Sequence, residues 1–272
     1  MDVKADMETE IGTKKPENGG QNTQNTQNTA EEFRIIGGYV PVPNSIKYVV
    51  SLQTRLRQHF CGGSLITKYW VITAAHCNKG IDNTLVVAGD HSLKIYEGTE
   101  QEIFPQALIP HPAYNSRSSN HNDIMLIKLQ VPVWLNAFIS IVILPRQDST
   151  RTPGSMCRVS GWGSTVAGET LSLPSVLQTV KLPIVSPEQC NSSASYNGNI
   201  TDRMLCAGYS AGGQDACQGD SGGPLVCDGL LYGIVSWGSG CAIPQYPGVY
   251  AAVSKYRSWI EDTVFSYYRR CN

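Results

Sequence analysis

From Ile35 onward the chain is a succession of short β-type runs, and this pattern limits the folds open to it more than any other feature. Tyr48–Thr54, Gly63–Thr67, Trp70–Thr73, Leu85–Gly89, Asp123–Leu129, Met156–Trp162, Leu177–Val185, Gly223–Cys227 and Leu231–Trp237 are the clearest of them. Gly, Pro, Asn and Asp punctuate the runs. Many short strands separated by turn residues predict an all-β sandwich or barrel. Two helical patterns interrupt this texture. Ser186-Pro187-Glu188-Gln189 has the form of a capping box with proline at the first helical position. Near the C-terminus Tyr256, Trp259, Ile260, Thr263, Val264 and Tyr267 recur at helical spacing, so a terminal helix lays one face on the body.

Residues 1–34 have a different texture. They contain one Phe, no other aromatic residue, no cysteine, and the repetitive stretch QNTQNTQNT at 21–29. This composition predicts a solvated tail without a core of its own. The tail holds 4 Lys+Arg and 7 Asp+Glu, so the net charge of −1 conceals an acidic tail on a near-neutral remainder. That balance argues against a nucleic-acid partner. The longest apolar run, Phe138–Leu144, is too short to span a bilayer. Nine cysteines point to an oxidising, extracellular setting, and their odd number leaves at least one without a partner in the chain. Met1 is not followed by the apolar stretch of a signal peptide, so the two indications of compartment disagree.

Three segments carry chemistry: Thr73–Cys77 (TAAHC), His121–Leu129 (HNDIMLIKL) and Asp215–Pro224 (DACQGDSGGP). A serine hydroxyl needs a base to attack at neutral pH, and an imidazole base needs a carboxylate to fix its tautomer. Ser221 lies in a Gly-Asp-Ser-Gly-Gly turn. Its glycines permit unusual backbone angles, so the amides of Gly219 and Ser221 can converge on one oxygen. Taken alone, each motif is more often a core histidine, a strand-capping aspartate or a loop; the three together in this order are not.

These motifs resemble the trypsin-like serine proteases of the chymotrypsin family, in the family's own order His76, Asp123, Ser221. The resemblance runs from Ile35 to about Trp259. It implies two packed six-stranded antiparallel β-barrels, about 35–141 and 142–253, followed by a C-terminal helix, with 1–34 as a propeptide. It implies a serine endopeptidase in which Ser221 attacks, His76 relays the proton, Asp123 orients His76, and the Gly219 and Ser221 amides form the oxyanion hole. The alternative is a catalytically silent relative serving as a binding module, which the intact set of residues disfavours.

The resemblance extends to specificity and activation. Asp215 matches the floor of the S1 pocket, Gly238 and Gly248 its walls, and Ser236-Trp237-Gly238 the strand that pairs with substrate. A carboxylate at that floor implies cleavage after Arg or Lys, and Ala216 implies a preference for Arg. Arg34-Ile35-Ile36-Gly37-Gly38 resembles a zymogen cleavage site. The new Ile35 ammonium would pair with Asp220, which His59 and Ser51 would hold before cleavage; on that view His59→Ala should raise the basal activity of the zymogen. Eight cysteines have family partners: Cys61–Cys77, Cys157–Cys227, Cys190–Cys206 and Cys217–Cys241; Cys271 is left over. The loop 90–100 resembles the family's calcium loop, with Asp90, Glu97 and Glu100 giving carboxylates and Ser92 and Ile95 carbonyls. Asp90 replaces the usual, longer Glu. No other cofactor is implied. The expected partners are protein and peptide substrates, protein protease inhibitors and an activating protease that accepts Arg, acting on a secreted monomer. Asn191-Ser192-Ser193 and Asn199-Ile200-Thr201 are glycosylation sequons.

Overall fold

The computed structural model describes residues 35–115, 120–166 and 173–269; Arg34 and Cys271 lie outside them. Seven strands form a first sheet: β1 (Val49–Gln53), β2 (His59–Thr67), β3 (Trp70–Thr73), β4 (Leu85–Ala88), β5 (Gln101–Ile103), β6 (Pro105–Pro110) and β7 (Met125–Leu129). Six more form a second: β8 (Met156–Gly161), β9 (Gln178–Val185), β10 (Met204–Ala207), β11 (Pro224–Cys227), β12 (Leu230–Trp237) and β13 (Gly248–Ala252). All pairings within the two sheets are antiparallel.

The second sheet closes as a six-stranded barrel, in the order β10-β13-β12-β11-β8-β9. The first has the order β5-β4-β1-β2-β3-β7-β6 and is a curled sheet of seven strands rather than the expected six. The extra strand arises at Phe104, where one segment breaks in two. Gln101–Ile103 pairs with β4, and Pro105–Pro110 pairs with β7. Pro105 and Pro110 lack the N–H a central strand would need, which suits them to a sheet edge. The two edges are therefore one continuous stretch of chain, and the sheet must roll up to satisfy both.

Strands β1, β3, β4 and β7 are buried at every position. The inner face accounts for half of this. The other half of the cover comes partly from the C-terminal helix α2 (Arg257–Arg269). Tyr256 and Ile260 join the first core, Trp259, Val264 and Tyr267 pack on it, and the Tyr267 ring stands edge-on to Trp70 at 5.4 Å. The short helix α1 (Pro187–Cys190) starts as its capping box predicts, with Ser186 Oγ accepting from Gln189 N–H.

The two ends of the described part of the chain cross over. Ile35 is fully buried in the second core with Val159, Val180 and Leu182. Tyr39 exchanges two hydrogen bonds of 2.9 Å with Thr179 of β9. Residues 35–39 thus pack on the second barrel, although they precede the first sheet in sequence. Four disulfides are formed: Cys61–Cys77, Cys157–Cys227, Cys190–Cys206 and Cys217–Cys241. Among the described residues no helix is long and apolar enough to cross a membrane.

Candidate active site

The site lies where the two sheets meet, and glycines set how closely they meet. An added Cβ on Gly62 of β2 would lie 3.0 Å from Gly223 Cα, and Gly62 N–H donates to Ser221 O at 2.8 Å. Gly222, beside Ser221, has φ +76°, and a Cβ there would fall 2.1 Å from Thr73 Oγ1 and 2.6 Å from Gly62 O. Thr73 Oγ1 itself donates to Gly62 O at 2.8 Å. The Ser221 turn is thereby held against the end of β3, three residues before His76.

Asp123 is buried and His76 is not. Asp123 Oδ1 accepts from His76 N–H at 2.9 Å, and Oδ2 accepts from His76 Nδ1 at 2.7 Å and from Ser236 Oγ at 2.5 Å. A carboxylate only accepts, so Nδ1 carries a proton, and in the neutral ring the lone pair is on Nε2. That side of the ring remains accessible, with the His76 side chain 29% exposed against 0% for Asp123. His76 and Ser221 are not hydrogen-bonded to each other here, as is common before substrate binds.

The peptide groups around Gly219 and Ser221 have fixed directions. Gln218 O is taken by Ser164 N–H at 2.6 Å, and Asp220 O by Gly223 N–H at 2.8 Å. In a trans peptide the N–H points opposite to the C=O, so the Gly219 and Ser221 N–H groups point away from these acceptors. Gly219 sits at φ +97°, and a Cβ would press on Leu173 Cδ2 and Gly163 Cα. Its own carbonyl meets His59 Nε2 at 2.9 Å. His59 Nδ1 meets Ser51 Oγ at 2.8 Å, and Gln53 Nε2 donates to the same Oγ at 3.1 Å. A carbonyl can only accept, so the chain runs one way: Gln53 to Ser51, Ser51 to Nδ1, Nε2–H to Gly219 O. Burial lowers the His59 pKa to about 4, which keeps the ring neutral. In this arrangement His59 holds the Gly219 loop, while Asp220 is held by Gly163 and Cys217 N–H. Gln53 was not foreseen; a buried polar residue at a strand end leaves no mark in a single sequence.

Asp215, Ala216, Ser236, Trp237, Gly238 and Gly248 line one cavity of about 190 Å³ together with Ser221. Asp215 is buried, Oδ2 accepts from Ala242 N–H at 2.9 Å, and Oδ1 has no partner among the described residues. Burial raises its pKa to about 6. A Cβ on Gly248 would lie 2.8 Å from that free oxygen, so only glycine leaves it open to the cavity. Tyr250, whose buried hydroxyl also lacks a partner, lines the same space. The Trp237 wall is backed by Tyr196, with ring centroids 4.8 Å apart. Tyr196 Oη donates to Pro247 O at 2.8 Å and accepts from Ser239 N–H at 3.2 Å.

Asp220 is fully buried and does not line the cavity. Oδ1 accepts from Gly163 N–H at 2.8 Å and Oδ2 from Cys217 N–H at 2.9 Å. Burial raises its pKa to about 7. A Cβ on Gly161 or Gly163 would fall 2.3 Å from this carboxyl group. The Gly-Trp-Gly sequence at 161–163 could have flagged that close approach. Nearby, Asp215 N–H donates to Ile36 O at 3.2 Å, which ties the segment after Arg34 to the cavity floor.

The sequence from 35 to 260 matches the trypsin family model. The chain belongs to the trypsin family. Trypsin-3 of Salmo salar is 50% identical over 236 residues, spanning 87% of this chain and 95% of that protein. Trypsin of Sus scrofa is 48% identical over 236 residues, spanning 87% and 98%. Trypsin of Xenopus laevis is 48% identical over 234 residues, spanning 86% and 92%. This chain is accordingly a trypsin-like serine endopeptidase.

A second cluster lies in the 90–100 loop. Carboxylate oxygens of Asp90, Glu97 and Glu100 come within 4.8 Å of one another. Asp90 Oδ1 is buried without a partner, and burial together with Glu100 and Glu97 raises the Asp90 pKa to about 7. Glu97 Oε2 also accepts from His91 and Ser92 N–H, and Ile95 N–H donates to Ser92 O. Three converging carboxylates with one orphaned oxygen suit a hard divalent cation. Cys61 and Cys77 also lie near His76, but their sulfurs are bonded to each other and cannot bind a metal.

Proposed function

We propose that this trypsin-family endopeptidase cleaves peptide bonds after Arg or Lys, with Arg favoured, and is made as a zymogen activated by cleavage after Arg34. The observation that carries the specificity is the buried Asp215 with one oxygen free and facing a cavity walled by glycines. Burying a carboxylate without a partner is unfavourable, and a guanidinium from substrate supplies both charge and donors. Ala216 lines the cavity without a hydroxyl. Bidentate Arg loses less from that than Lys, whose compact ammonium would seek a nearby oxygen.

In the reaction Ser221 Oγ attacks the scissile carbonyl as His76 Nε2 takes its proton. Asp123 and Ser236 hold the His76 ring and stabilise the imidazolium. The Gly219 and Ser221 N–H groups receive the oxyanion. His76 then returns the proton to the leaving amine, and water repeats the sequence on the acyl-enzyme. Trp237 and its neighbours hold the substrate backbone as an added strand.

Activation rests on Asp220. In support, this carboxyl group has only backbone N–H partners in a fully buried setting. An Ile35 ammonium freed by cleavage would supply the missing charge. Residues 1–34 would then be the propeptide, and the two halves of the enzyme about 35–141 and 142–253. A Ca²⁺ ion held by Asp90, Glu97 and Glu100, with Ser92 and Ile95 carbonyls, would cross-link the 90–100 loop and take no part in the chemistry. The four disulfides support a secreted protein; on this reading it is a monomer whose partners are protein and peptide substrates, protein inhibitors and an activating protease.

The test is labelling by a serine-directed fluorophosphonate before and after cleavage at Arg34, with Ser221→Ala as control, followed by peptide-library profiling. Labelling only after cleavage and products ending in Arg or Lys are expected. Labelling of Ser221→Ala, or faster cleavage after Phe than after Arg, would overturn the reading.

A further inference from the structure

The loop 191–201, closed at its base by Cys190–Cys206, carries both sequons, and their asparagines are held in different ways. Asn191 is half-buried. Its Oδ1 accepts from Ile200 N–H at 2.9 Å and its Nδ2 donates to Ile200 O at 3.2 Å. One residue's N–H and C=O meeting both ends of a carboxamide use its Oδ1 and the Nδ2 hydrogen on the same side. A glycan on Nδ2 makes a secondary amide, whose trans form puts the sugar on that same side. A glycan on Asn191 must therefore break the Ile200 pair. Asn199 is exposed, and its side chain makes one bond, Nδ2 to Tyr196 O at 2.8 Å. A glycan there displaces at most this single bond of an exposed side chain, against the paired bonds it must break at Asn191.

We propose that the secreted protein carries an N-linked glycan on Asn199 and none on Asn191, and that this glycan screens the substrate cavity against large proteins. The donor is an oligosaccharide linked to a polyprenyl diphosphate. The bond from its reducing-end C1 to the diphosphate oxygen breaks, a C1–Nδ2 bond forms, one Nδ2 proton is released, and the lipid diphosphate leaves; nothing is oxidised or reduced. The transferase reads the chain before it folds, so both sequons are presented. Chains modified at Asn191 lose the turn that closes the loop and are not exported.

The screening follows from what Asn199 touches. It is bonded to Tyr196, whose ring packs on Trp237 of the cavity wall and whose hydroxyl holds Ser239 and Pro247. A short peptide occupies the cavity alone. A protein docking there covers about 800 Å² of this surface, a footprint that reaches well beyond the cavity mouth toward Tyr196 and the loop that carries it. This second half rests on the substrate-cavity reading above; the occupancy of Asn199 does not.

The full chain is to be expressed behind a cleavable leader in animal cells. The secreted protein is treated with peptide N-glycosidase in heavy-oxygen water, which converts each formerly glycosylated asparagine to labelled aspartate for mass spectrometry. Label at Asn199 alone is expected; no label at Asn199, or label at Asn191, overturns the assignment. Thr201→Val removes the sequon while leaving Asn199 and its bond intact, and the hydroxyl it deletes is buried without a partner among the described residues. The activated glycosylated form, the natively deglycosylated form and Thr201→Val are then compared. Their kcat/KM on a small Arg substrate should agree. Association with a protein inhibitor should be on the order of tenfold faster without the glycan, an effect on encounter rather than on contacts. Equal association rates refute the screening. A glycosylated protein silent toward both the small substrate and a fluorophosphonate overturns the protease reading and leaves Asn199 assigned.

Discussion

Replacing Asp215 by Asn should make the protein more stable and far less active, and the two changes should separate with pH. Asp215 is 2% exposed, and burial raises its pKa from 3.8 to about 6. Such a rise is equivalent to about 3 kcal/mol of destabilisation once the group is ionised in both the folded and unfolded chains. The sign is that of a raised carboxyl: the folded state is unpenalised below the usual value near 4 and loses stability as pH climbs through about 6. Asparagine keeps an acceptor for Ala242 N–H and removes the charge. At about pH 8 an Asp215→Asn, Ser221→Ala protein should melt up to about 6–12 °C above Ser221→Ala, at about 2–4 °C per kcal/mol for a domain of this size. Near pH 4 the difference should vanish. The Ser221→Ala background prevents self-digestion during the scan. In the active background, a substrate guanidinium would enter the cavity without its counter-charge. That costs about 3–5 kcal/mol, or roughly a 10²- to 10⁴-fold loss of kcat/KM on an Arg substrate. Scanning calorimetry across pH and steady-state kinetics read the two effects. A lower melting point at pH 8, or unchanged cleavage after Arg, would refute the argument.

The remaining expectations concern other parts of the molecule. Millimolar calcium should raise the melting temperature of Ser221→Ala, and Asp90→Asn should abolish that rise; a rise surviving Asp90→Asn would reject the site. In the cleaved enzyme His59→Ala removes the donor to Gly219 O, so kcat on a short Arg substrate should fall about tenfold with little change in KM; an unchanged kcat would refute this positioning role. Gly222→Ala places a methyl group against Thr73 Oγ1 at φ +76° and should cost about 3 kcal/mol or more, seen as a lower melting temperature; an unshifted midpoint would count against the glycine contact between the sheets. Cleavage of Ser221→Ala after Arg34 should raise its stability more at about pH 7.5 than at about pH 4.5. Asp220, with its pKa near 7, is penalised only as pH rises, and the new ammonium removes that penalty; equal gains at both would refute the pairing.

How much was legible in the sequence depended on what kind of residue carried the information. Runs with branched or aromatic residues declared themselves, as Trp70–Thr73 and Leu231–Trp237 did. Strands β10 (MLCA) and β13 (GVYAA) did not, because small residues carry little β signal and their place is set by neighbours across the barrel. The break at Phe104 was hidden for a similar reason: two prolines read as turns until pairing on both sides makes them edges. In the site, His76, Asp123, Ser221 and Asp215 stood out because their motifs are local. The Gln53–Ser51–His59 chain to Gly219 links residues far apart in sequence, and only the fold gives it direction.

The crossing of residues 35–39 and the C-terminal helix has a mechanical meaning. The N-terminal segment clasps the barrel built from later residues, and the C-terminal helix covers the sheet built from earlier ones. Neither half can drift from the other unless one of these straps peels away first. A nick in the connection between β7 and β8 would therefore leave a molecule still held shut around its cleft. The covalent connection between the two sheets is then not what keeps the cleft closed.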